Sequence, residues 1–274
     1  MIVDAHQHFW AVSRGDYGWM ESNPAVEKIR LDFRPEQLEP MRRKLGIDRT
    51  VLVQAAPSVE ETEYLLGIAD SVPWVGKVVG WVDFETVDHL KHLERFAAHP
   101  KFAGVRPMIQ DIPDPDWMLR DNVQWAYEAI IELDLTFDAL GFPLHLENFL
   151  KVLKRYQSMR VVVDHCMKPR IRDDGFDEWA EGIEAIARNS QAFCKLSGLV
   201  TEAKKDWSVA TLRPYAEHVV KAFGPERVMW GSDWPVVQLA ASYEDWWQAA
   251  QELTSISEKE LIFGETAAKF YRLS

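Results

Sequence analysis

The sequence has 274 residues, of which 47% are hydrophobic and 27% are charged, a composition typical of globular proteins. Its formal net charge of −12 argues against a nucleic-acid partner, because such binding depends on Lys and Arg side chains that neutralise phosphates. No apolar run approaches the roughly 20 residues that a membrane span needs, and residues 1–10 do not resemble a signal peptide. Two cysteines, Cys166 and Cys194, are too few for a disulfide framework. We therefore expect a cytoplasmic protein that binds neither nucleic acid nor membranes.

Apolar segments bounded by turn residues predict eight strands. In chain order they are residues 2–9, 49–57, 77–84, 102–109, 135–140, 160–166, 192–198 and 227–235. Helical patterns separate them at residues 35–46, 60–70, 87–99, 121–134, 146–156, 177–189 and 212–224. This alternation predicts an α/β protein, a single-domain (β/α)₈ TIM barrel over residues 1–274, with a C-terminal helical tail.

Polar and aromatic residues collect where the predicted strands end. They are His6 and His8 on the first strand, Gln54 on the second, Trp81 and Asp83 on the third, Arg106 on the fourth, His165 on the sixth, Lys195 in the seventh and Asp233 on the eighth. Because active sites of such barrels lie at the C-terminal ends of the strands, we expect these residues to share one pocket.

The pair His6 and His8 is the first candidate within that pocket. Residues two apart in a strand face the same side, so both imidazoles are expected to approach one target, a water molecule or a metal ion. Short motifs of this kind also occur by chance, and two unrelated histidines are the alternative interpretation.

Four segments of the chain resemble the amidohydrolase superfamily. They are "DAHQHFW" (4–10), "VVVDHCMKP" (161–169), "CKLSGLVTEA" (194–203) and "MWGSDWPVV" (229–237). The resemblance covers nearly the whole chain and is greatest to the sugar-lactonase branch, which includes L-fucono-lactonases and L-rhamnono-lactonases. It implies hydrolysis of a small-molecule sugar lactone, the cyclic ester of a sugar acid, in sugar catabolism.

The metal content expected from the resemblance is one divalent ion at most. The superfamily's two-metal sites add a bridging Lys or Glu on strand 4 and a His on strand 5, where this chain has Arg106 and Asp138. Arg carries a permanent charge and cannot ligate a cation, and His145 is expected to begin the next helix. One Zn²⁺ held by His6, His8 and Asp233 is one interpretation, and a site that needs no metal is the other.

The reaction assigns candidate roles to the remaining residues. Asp233 is the expected general base, and His165 and Arg106 are expected to stabilise the oxyanion. The candidate substrate contacts are Gln54, Lys195 and the tryptophans Trp10, Trp81 and Trp234, with Trp19 as a further aromatic candidate. Trp81 and Trp234 are also expected to shield Asp233 from water. Asp233 as a turn residue, and Arg106 as an ion-pair partner of Asp83 or Asp111, are the alternative interpretations.

Two other functions fit the same sequence. One is a different reaction of the superfamily, such as hydrolysis of a pyrone-dicarboxylate lactone or a decarboxylation; the other is a non-catalytic sugar-acid binding protein. A dicarboxylate requires several arginines at the mouth of the barrel, whereas Arg106 is the arginine found at a strand end. The sequence therefore favours an uncharged lactone.

Overall fold

The structure, a computed structural model, describes residues 1–21 and 23–274. Within these ranges eight parallel strands form one sheet in chain order. They are β1 Val3–Gln7, β2 Arg49–Val53, β3 Val75–Gly80, β4 Phe102–Val105, β5 Thr136–Ala139, β6 Arg160–Val163, β7 Phe193–Leu196 and β8 Val228–Trp230. Beyond β8 the chain returns to β1, where Gln7 pairs with Trp234 and the Asp233 N–H donates to the His6 carbonyl at 2.8 Å. The sheet is a nearly closed barrel, which confirms the predicted fold.

Helices cover the outside of the barrel. The described residues contain α1 Gly18–Glu21, α2 Pro35–Lys44, α3 Val59–Ser71, α4 Leu90–Ala97, α5 Gln124–Glu132, α6 Leu146–Arg155, α7 Asp177–Asn189, α8 Leu199–Glu202, α9 Val209–Phe223, α10 Tyr243–Leu253 and α11 Thr266–Tyr271. Helices α2 to α7 and α9 are the seven predicted ones, and α10 and α11 form the predicted tail. None of the helices in the described ranges combines the length and the apolar character needed to cross a membrane.

Local sequence explains where these elements form. Strands β2 and β6 contain the runs "TVLV" and "VVV", whose residues are all buried, as expected for a parallel sheet covered on both faces. Helix α9 begins three residues before its predicted start, because the Ser208 side chain accepts the N–H of Thr211 and caps the helix there. His145 lies in a short 3₁₀ turn directly before α6, as the sequence predicted.

The barrel interior has two layers. The lower layer is apolar and contains Val3, Ala5, Val51, Val53, Val79, Ala103, Val162 and Met229 with Ala267, Phe270 and Tyr271 of α11. Above it lies a layer of buried polar side chains, His6, Arg106, Asp138, Asp164 and Lys195. Filled layers of this kind are typical of TIM barrels, and the upper layer here forms the base of the candidate site.

Candidate active site

A cavity of about 540 Å³ opens at the C-terminal ends of the strands. Six of the residues predicted from the sequence line it: His8, Trp10, Trp19, Arg106, His165 and Asp233. His6, Gln54 and Lys195 lie directly beneath its floor, and their contacts are described below. The structure therefore brings most of the predicted polar residues together at the expected end of the barrel. The exception is Asp83, whose carboxylate accepts from the Glu85 N–H and the Thr86 hydroxyl and does not line the cavity.

Asp233 is the carboxylate in the floor of the cavity. It follows β8 in a left-handed backbone conformation, with φ of 58°, and its N–H is tied to the His6 carbonyl. Its Oδ1 atom lies 3.2 Å from His8 Nε2, 3.8 Å from His6 Nε2 and 3.9 Å from His165 Nε2. One carboxylate oxygen is thus surrounded by three imidazole nitrogens.

His6 and His8 face the same point but have different second partners. Their Nε2 atoms are 3.2 Å apart. His8 Nδ1 lies 2.7 Å from the carbonyl of Val53, whereas His6 Nδ1 lies 3.1 Å from the Lys195 ammonium. As expected from the sequence, both rings approach one point, here the Asp233 Oδ1 atom, and each ring has a different partner at Nδ1.

His165 reaches the cavity through an unusual turn after β6. Residues His165, Cys166, Met167 and Lys168 all have positive φ, between 48° and 59°, a conformation that L-residues seldom adopt consecutively. Trp179 Nε1 donates to the Cys166 carbonyl at 2.7 Å, and His165 Nδ1 lies 2.8 Å from Ser197 Oγ. These contacts hold the turn so that both His165 and Lys168 line the cavity.

Arg106 is 3% exposed and is anchored by Gln54 and Asp164. Its Nη2 atom donates to the carbonyl and to Oε1 of Gln54, the latter at 3.0 Å, and Gln54 Nε2 donates back to the Arg106 carbonyl. Its Nη1 atom lies 3.3 Å from Asp164 Oδ2. The acidic partner is thus Asp164, not Asp83 or Asp111, because Asp164 faces the barrel interior. Gln54 positions Arg106 and is not a cavity-lining residue.

Lys195 lies beneath the site and cannot contact a ligand in the cavity. Its side chain is 0% exposed, with Nζ 2.5 Å from Asp138 Oδ2 and 3.0 Å from Asp164 Oδ1. The predicted direct substrate contact is therefore wrong for Lys195, since β7 directs it into the polar layer below His6. Asp138, the strand 5 residue, is occupied by this ammonium and by the Tyr271 hydroxyl at 2.8 Å.

The aromatic contacts differ from those predicted. Trp234 is 1% exposed and packs edge-on against Phe9 and Phe33, and Trp81 packs against His89 outside the cavity. Neither indole lines the cavity, so the predicted substrate contacts of Trp81 and Trp234 and their predicted shielding of Asp233 are wrong. The tryptophans that line the cavity are Trp10 and Trp19.

The electrostatics of the floor favour neutral imidazoles beside an ionised carboxylate. Burial lowers the pKa of His165 to about 4 and also lowers the pKa of His8. Burial and the charge of Lys195 hold the pKa of His6 well below its ordinary value. Burial alone would raise the pKa of Asp233, but the adjacent His165 and His8 lower it below its ordinary value. At neutral pH the floor therefore holds three uncharged imidazoles, the Asp233 carboxylate and the Arg106 guanidinium.

Two overlapping sets of three ligand atoms have spacings near those of a metal site: the atoms of His6, His165 and Asp233 all lie within 4.8 Å of one another, and His8 Nε2 lies 3.2 Å from both His6 Nε2 and Asp233 Oδ1. Zinc bonds of roughly 2.0–2.1 Å in a tetrahedron separate the ligand atoms by about 3.4 Å. The measured separations from Asp233 Oδ1 and between His6 and His8, from 3.2 to 3.9 Å, are close to that value. Asp233 and His6, together with His8 or His165, can thus hold one divalent ion. Arg106 and the Lys195-paired Asp138 leave the described residues without the bridging ligands of a two-metal centre.

Sequence reasoning missed several residues of the cavity and its base. Lys168 lines the wall, where it donates to Gln110 Oε1 and lies 5.5 Å from the centre of the Phe142 ring. It belongs to the segment "DHCMKP", but only the turn geometry directs it inward. Asp138 and Asp164 could have been identified from the sequence, because each is the one acidic residue of a predicted, largely apolar strand. Ser197 could not.

Comparison with known proteins places the chain in a family. A family model described as amidohydrolase matches residues 3–273. An L-fucono-1,5-lactonase from Burkholderia ambifaria is 38% identical, with 99% of this chain and 95% of that protein covered. A second L-fucono-1,5-lactonase, from Burkholderia multivorans, is 31% identical over 99% of this chain and 96% of that protein. The crystal structure of an amidohydrolase from Burkholderia multivorans with bound zinc superimposes with a TM-score of 0.92, at 30% identity and with both chains covered over 100% of their length. The protein therefore belongs to the amidohydrolase family.

Proposed function

We propose that the protein hydrolyses the lactone of a sugar acid, with L-fucono-1,5-lactone or a closely related aldonolactone as substrate. The observation that carries this proposal is the Asp233 carboxylate in the cavity floor, with Arg106 and His165 on the same floor. The two relatives that are named L-fucono-1,5-lactonases, at 38% and 31% identity over 99% of the chain, support the substrate class.

Asp233 is the general base of this reaction. A water hydrogen-bonded to its carboxylate loses a proton to Asp233 while the water oxygen bonds to the lactone carbonyl carbon. The ring C–O bond then breaks, and the proton held by Asp233 passes to the departing alkoxide, which gives the open hydroxy acid. Every proton is accounted for without a further acid in the cavity.

Arg106 and His165 stabilise the charge that develops on the carbonyl oxygen. The guanidinium is fixed by Gln54 and Asp164, so its orientation is set before the substrate arrives. His165 is neutral because of its low pKa, and its ring is oriented by Ser197. Donors that are already in place contribute more to the transition state than donors that must reorganise.

The walls of the cavity suit an uncharged polyhydroxy ring. Three cationic side chains, Arg106, Lys168 and Arg172, face three acidic ones, Asp111, Glu202 and Asp233, so the lining carries no net charge. The other wall contains Trp10, Trp19, Val26, Val236 and Leu239, which can cover the C–H face of a sugar ring. A pyrone dicarboxylate would instead require an excess of positive charge.

Metal at this site is at most one divalent ion, held by Asp233 and His6 together with His8 or His165. When bound, such an ion polarises the carbonyl or lowers the pKa of a bound water. The zinc ion in the related amidohydrolase structure supports the ability to bind. Lactones are activated esters, and we propose that the residues above suffice for turnover without the ion.

The test is a pH-stat screen of metal-stripped protein against L- and D-aldonolactones and a pyrone-dicarboxylate lactone, with the spontaneous rate subtracted. We expect turnover of L-fucono-1,5-lactone or a close analogue, with or without added Zn²⁺. Asp233→Asn should lower kcat at least a hundredfold while calorimetry still detects binding of the hydroxy acid product. Absence of turnover for every lactone, with and without Zn²⁺, would refute the proposal. Full turnover by Asp233→Asn would refute the role of Asp233 alone.

A further inference from the structure

The Lys195 ammonium is the buried cation beneath the histidine pair. It donates hydrogen bonds to Asp138 Oδ2 at 2.5 Å and to His6 Nδ1 at 3.1 Å, and it forms an ion pair with Asp164 Oδ1 at 3.0 Å. An ammonium group has three donors and no acceptor. At its contact with His6, the ring nitrogen must therefore be the acceptor.

This contact determines which nitrogen of His6 carries the proton. A neutral imidazole has one donor and one acceptor, so a His6 ring that accepts at Nδ1 carries its hydrogen on Nε2. The contacts of His6 Nε2 are consistent with this tautomer. His8 Nδ1 donates to the Val53 carbonyl at 2.7 Å, which leaves His8 Nε2 as an acceptor 3.2 Å from His6 Nε2.

A metal ion requires the opposite arrangement at His6. To ligate through Nε2, the ring must move its hydrogen to Nδ1, where it would face the Lys195 ammonium 3.1 Å away. The acceptor nearest to that hydrogen is Asp164 Oδ1, 3.5 Å from Nδ1, an oxygen that is also the ion-pair partner of Lys195 at 3.0 Å. Lys195 and Asp164 thus favour different tautomers of the same ring.

Arg106 adds a second cation beside His6. Its Nη1 atom lies 3.3 Å from His6 Nε2 and 3.3 Å from Asp164 Oδ2. A hydrogen bond to the carboxylate is the stronger of the two, so Arg106 does not require a free electron pair on His6. Its charge also opposes a divalent ion at the same place.

We propose that Lys195 is a positioning residue that holds the proton of His6 on Nε2 and thereby weakens divalent-metal binding by Asp233 and His6 together with His8 or His165. The proposal concerns metal affinity and does not depend on which lactone is hydrolysed. Removing the ammonium would free Nδ1 to donate to Asp164, the carboxylate–histidine arrangement that typically supports a metal ligand.

The first test compares Zn²⁺ affinities of metal-stripped proteins by competition with a chromophoric chelator. Lys195→Gln removes the charge and supplies a carbonyl that can accept from Nδ1, and we expect it to bind Zn²⁺ roughly tenfold or more tightly than the wild type. Lys168→Gln is the matched control, because it removes one ammonium from the cavity wall without a contact to His6; we expect a change of less than about threefold. Equal gains in both variants, or none in a folded Lys195→Gln variant, would overturn the proposal.

A companion variant guards against loss of folding. Lys195→Gln leaves two buried carboxylates short of a partner, which is costly, whereas Lys195→Gln with Asp138→Asn removes one positive and one negative charge together. The double variant should show the same gain in Zn²⁺ affinity, with circular dichroism confirming its fold. Affinity at the wild-type value in this folded protein would equally count against the proposal.

The second test reads the tautomer directly in the wild type. Long-range ¹H–¹⁵N spectra of metal-stripped protein with ¹⁵N-labelled histidine distinguish protonated from unprotonated ring nitrogens, and a His6→Asn variant assigns the signals. We expect His6 to be protonated on Nε2 and unprotonated on Nδ1. A hydrogen on Nδ1 in the wild type would refute the proposal, whatever the variants bind.

Discussion

His6 and His8 illustrate how identical residues two apart acquire different properties. Their side chains approach the same carboxylate oxygen, as strand periodicity requires. Their Nδ1 atoms face a carbonyl in one case and an ammonium in the other, so His8 presents a free electron pair at Nε2 and His6 presents a hydrogen. The motif alone therefore predicts where the rings lie but not what they offer to water or to a metal.

Arg106 gives the sharpest residue-scale prediction. Arg106→Ala should lower kcat/KM about a hundredfold in a pH-stat assay, because it removes a fixed donor from the carbonyl oxygen of the substrate. Arg106→Lys should restore little of this loss, since an ammonium cannot satisfy Gln54 and Asp164 in the same planar geometry.

The control for Arg106 is Arg160→Ala, at the opposite end of the barrel, where Arg160 donates to the Phe270 carbonyl at 2.9 Å. This variant should lose stability and keep its kcat/KM. Near-normal kcat/KM for Arg106→Ala, with stability reduced, would show that Arg106 is structural.

At this scale the sequence predicts the residues at strand ends and fails for those within the barrel. His8, Arg106, His165 and Asp233 were found because the ends of parallel strands meet at one edge of the barrel. Lys195 pairs with Asp138, 57 positions earlier in the chain, and with Asp164, 31 positions earlier. No local pattern predicts pairs at such separations. The predictions for Trp81 and Trp234 failed for the same reason, because the orientation of each indole depends on neighbours that are distant in the chain.

At the scale of elements, the turn from His165 to Lys168 is the feature that completes the cavity. A continued strand would direct His165 and Cys166 to opposite faces, whereas the left-handed turn brings both His165 and Lys168 to the wall. The loop after β7 supports it at Gly198, whose φ is +69°. A Cβ atom there would lie 2.8 Å from His165 Cβ and 2.9 Å from its Cγ, so only glycine leaves room for the imidazole.

Gly198→Ala should therefore displace His165. We expect kcat/KM to fall between about tenfold and a hundredfold, because small errors in the position of a catalytic group are costly. Gly46→Ala is the matched control: its φ of +71° imposes the same backbone strain, but no atom lies within 4 Å of the added Cβ. Gly46→Ala should lose about 1–2 kcal/mol of stability in urea titrations and Gly198→Ala more, because its Cβ also meets His165, and only Gly198→Ala should lose activity. Similar activity in the two variants would contradict the account of this loop.

Most elements were predicted from the sequence, because apolar periodicity and Pro, Gly and Ser boundaries act locally. The seven predicted helices are present, and the predicted strands contain the observed ones apart from Val75 and Gly76 at the start of β3. The left-handed turn was not predicted: "DHC" continues an apolar run, and nothing within it indicates positive φ. That turn is stabilised by Trp179 and Ser197, which lie on later elements.

At the scale of the whole molecule, the C-terminal helix α11 closes the lower end of the barrel. Residues of α11 pack into the apolar lower layer, and the Arg160 side chain holds the Phe270 carbonyl. The Tyr271 hydroxyl passes through this layer and donates to Asp138 at 2.8 Å, so the end of the chain contacts the buried charges under the active site. The sequence predicted a helical tail but gave no sign of this contact, because it depends on the closure of the barrel.

Tyr271→Phe tests how strongly the tail is joined to that network. The phenol donates to a carboxylate, and hydrogen bonds to charged groups contribute roughly 1.5–3 kcal/mol, so the free energy of unfolding in urea should fall by about 2 kcal/mol. Tyr156→Phe removes a comparable buried hydroxyl whose acceptor, Gln124 Oε1 at 2.9 Å, is neutral, and it should cost about 1 kcal/mol. Both variants should keep kcat/KM within a few fold, because the ion pair between Lys195 and Asp138 remains. Equal losses of stability would contradict a charge-assisted bond at Asp138, and a large loss of activity in Tyr271→Phe alone would mean that the tail takes part in shaping the floor of the site.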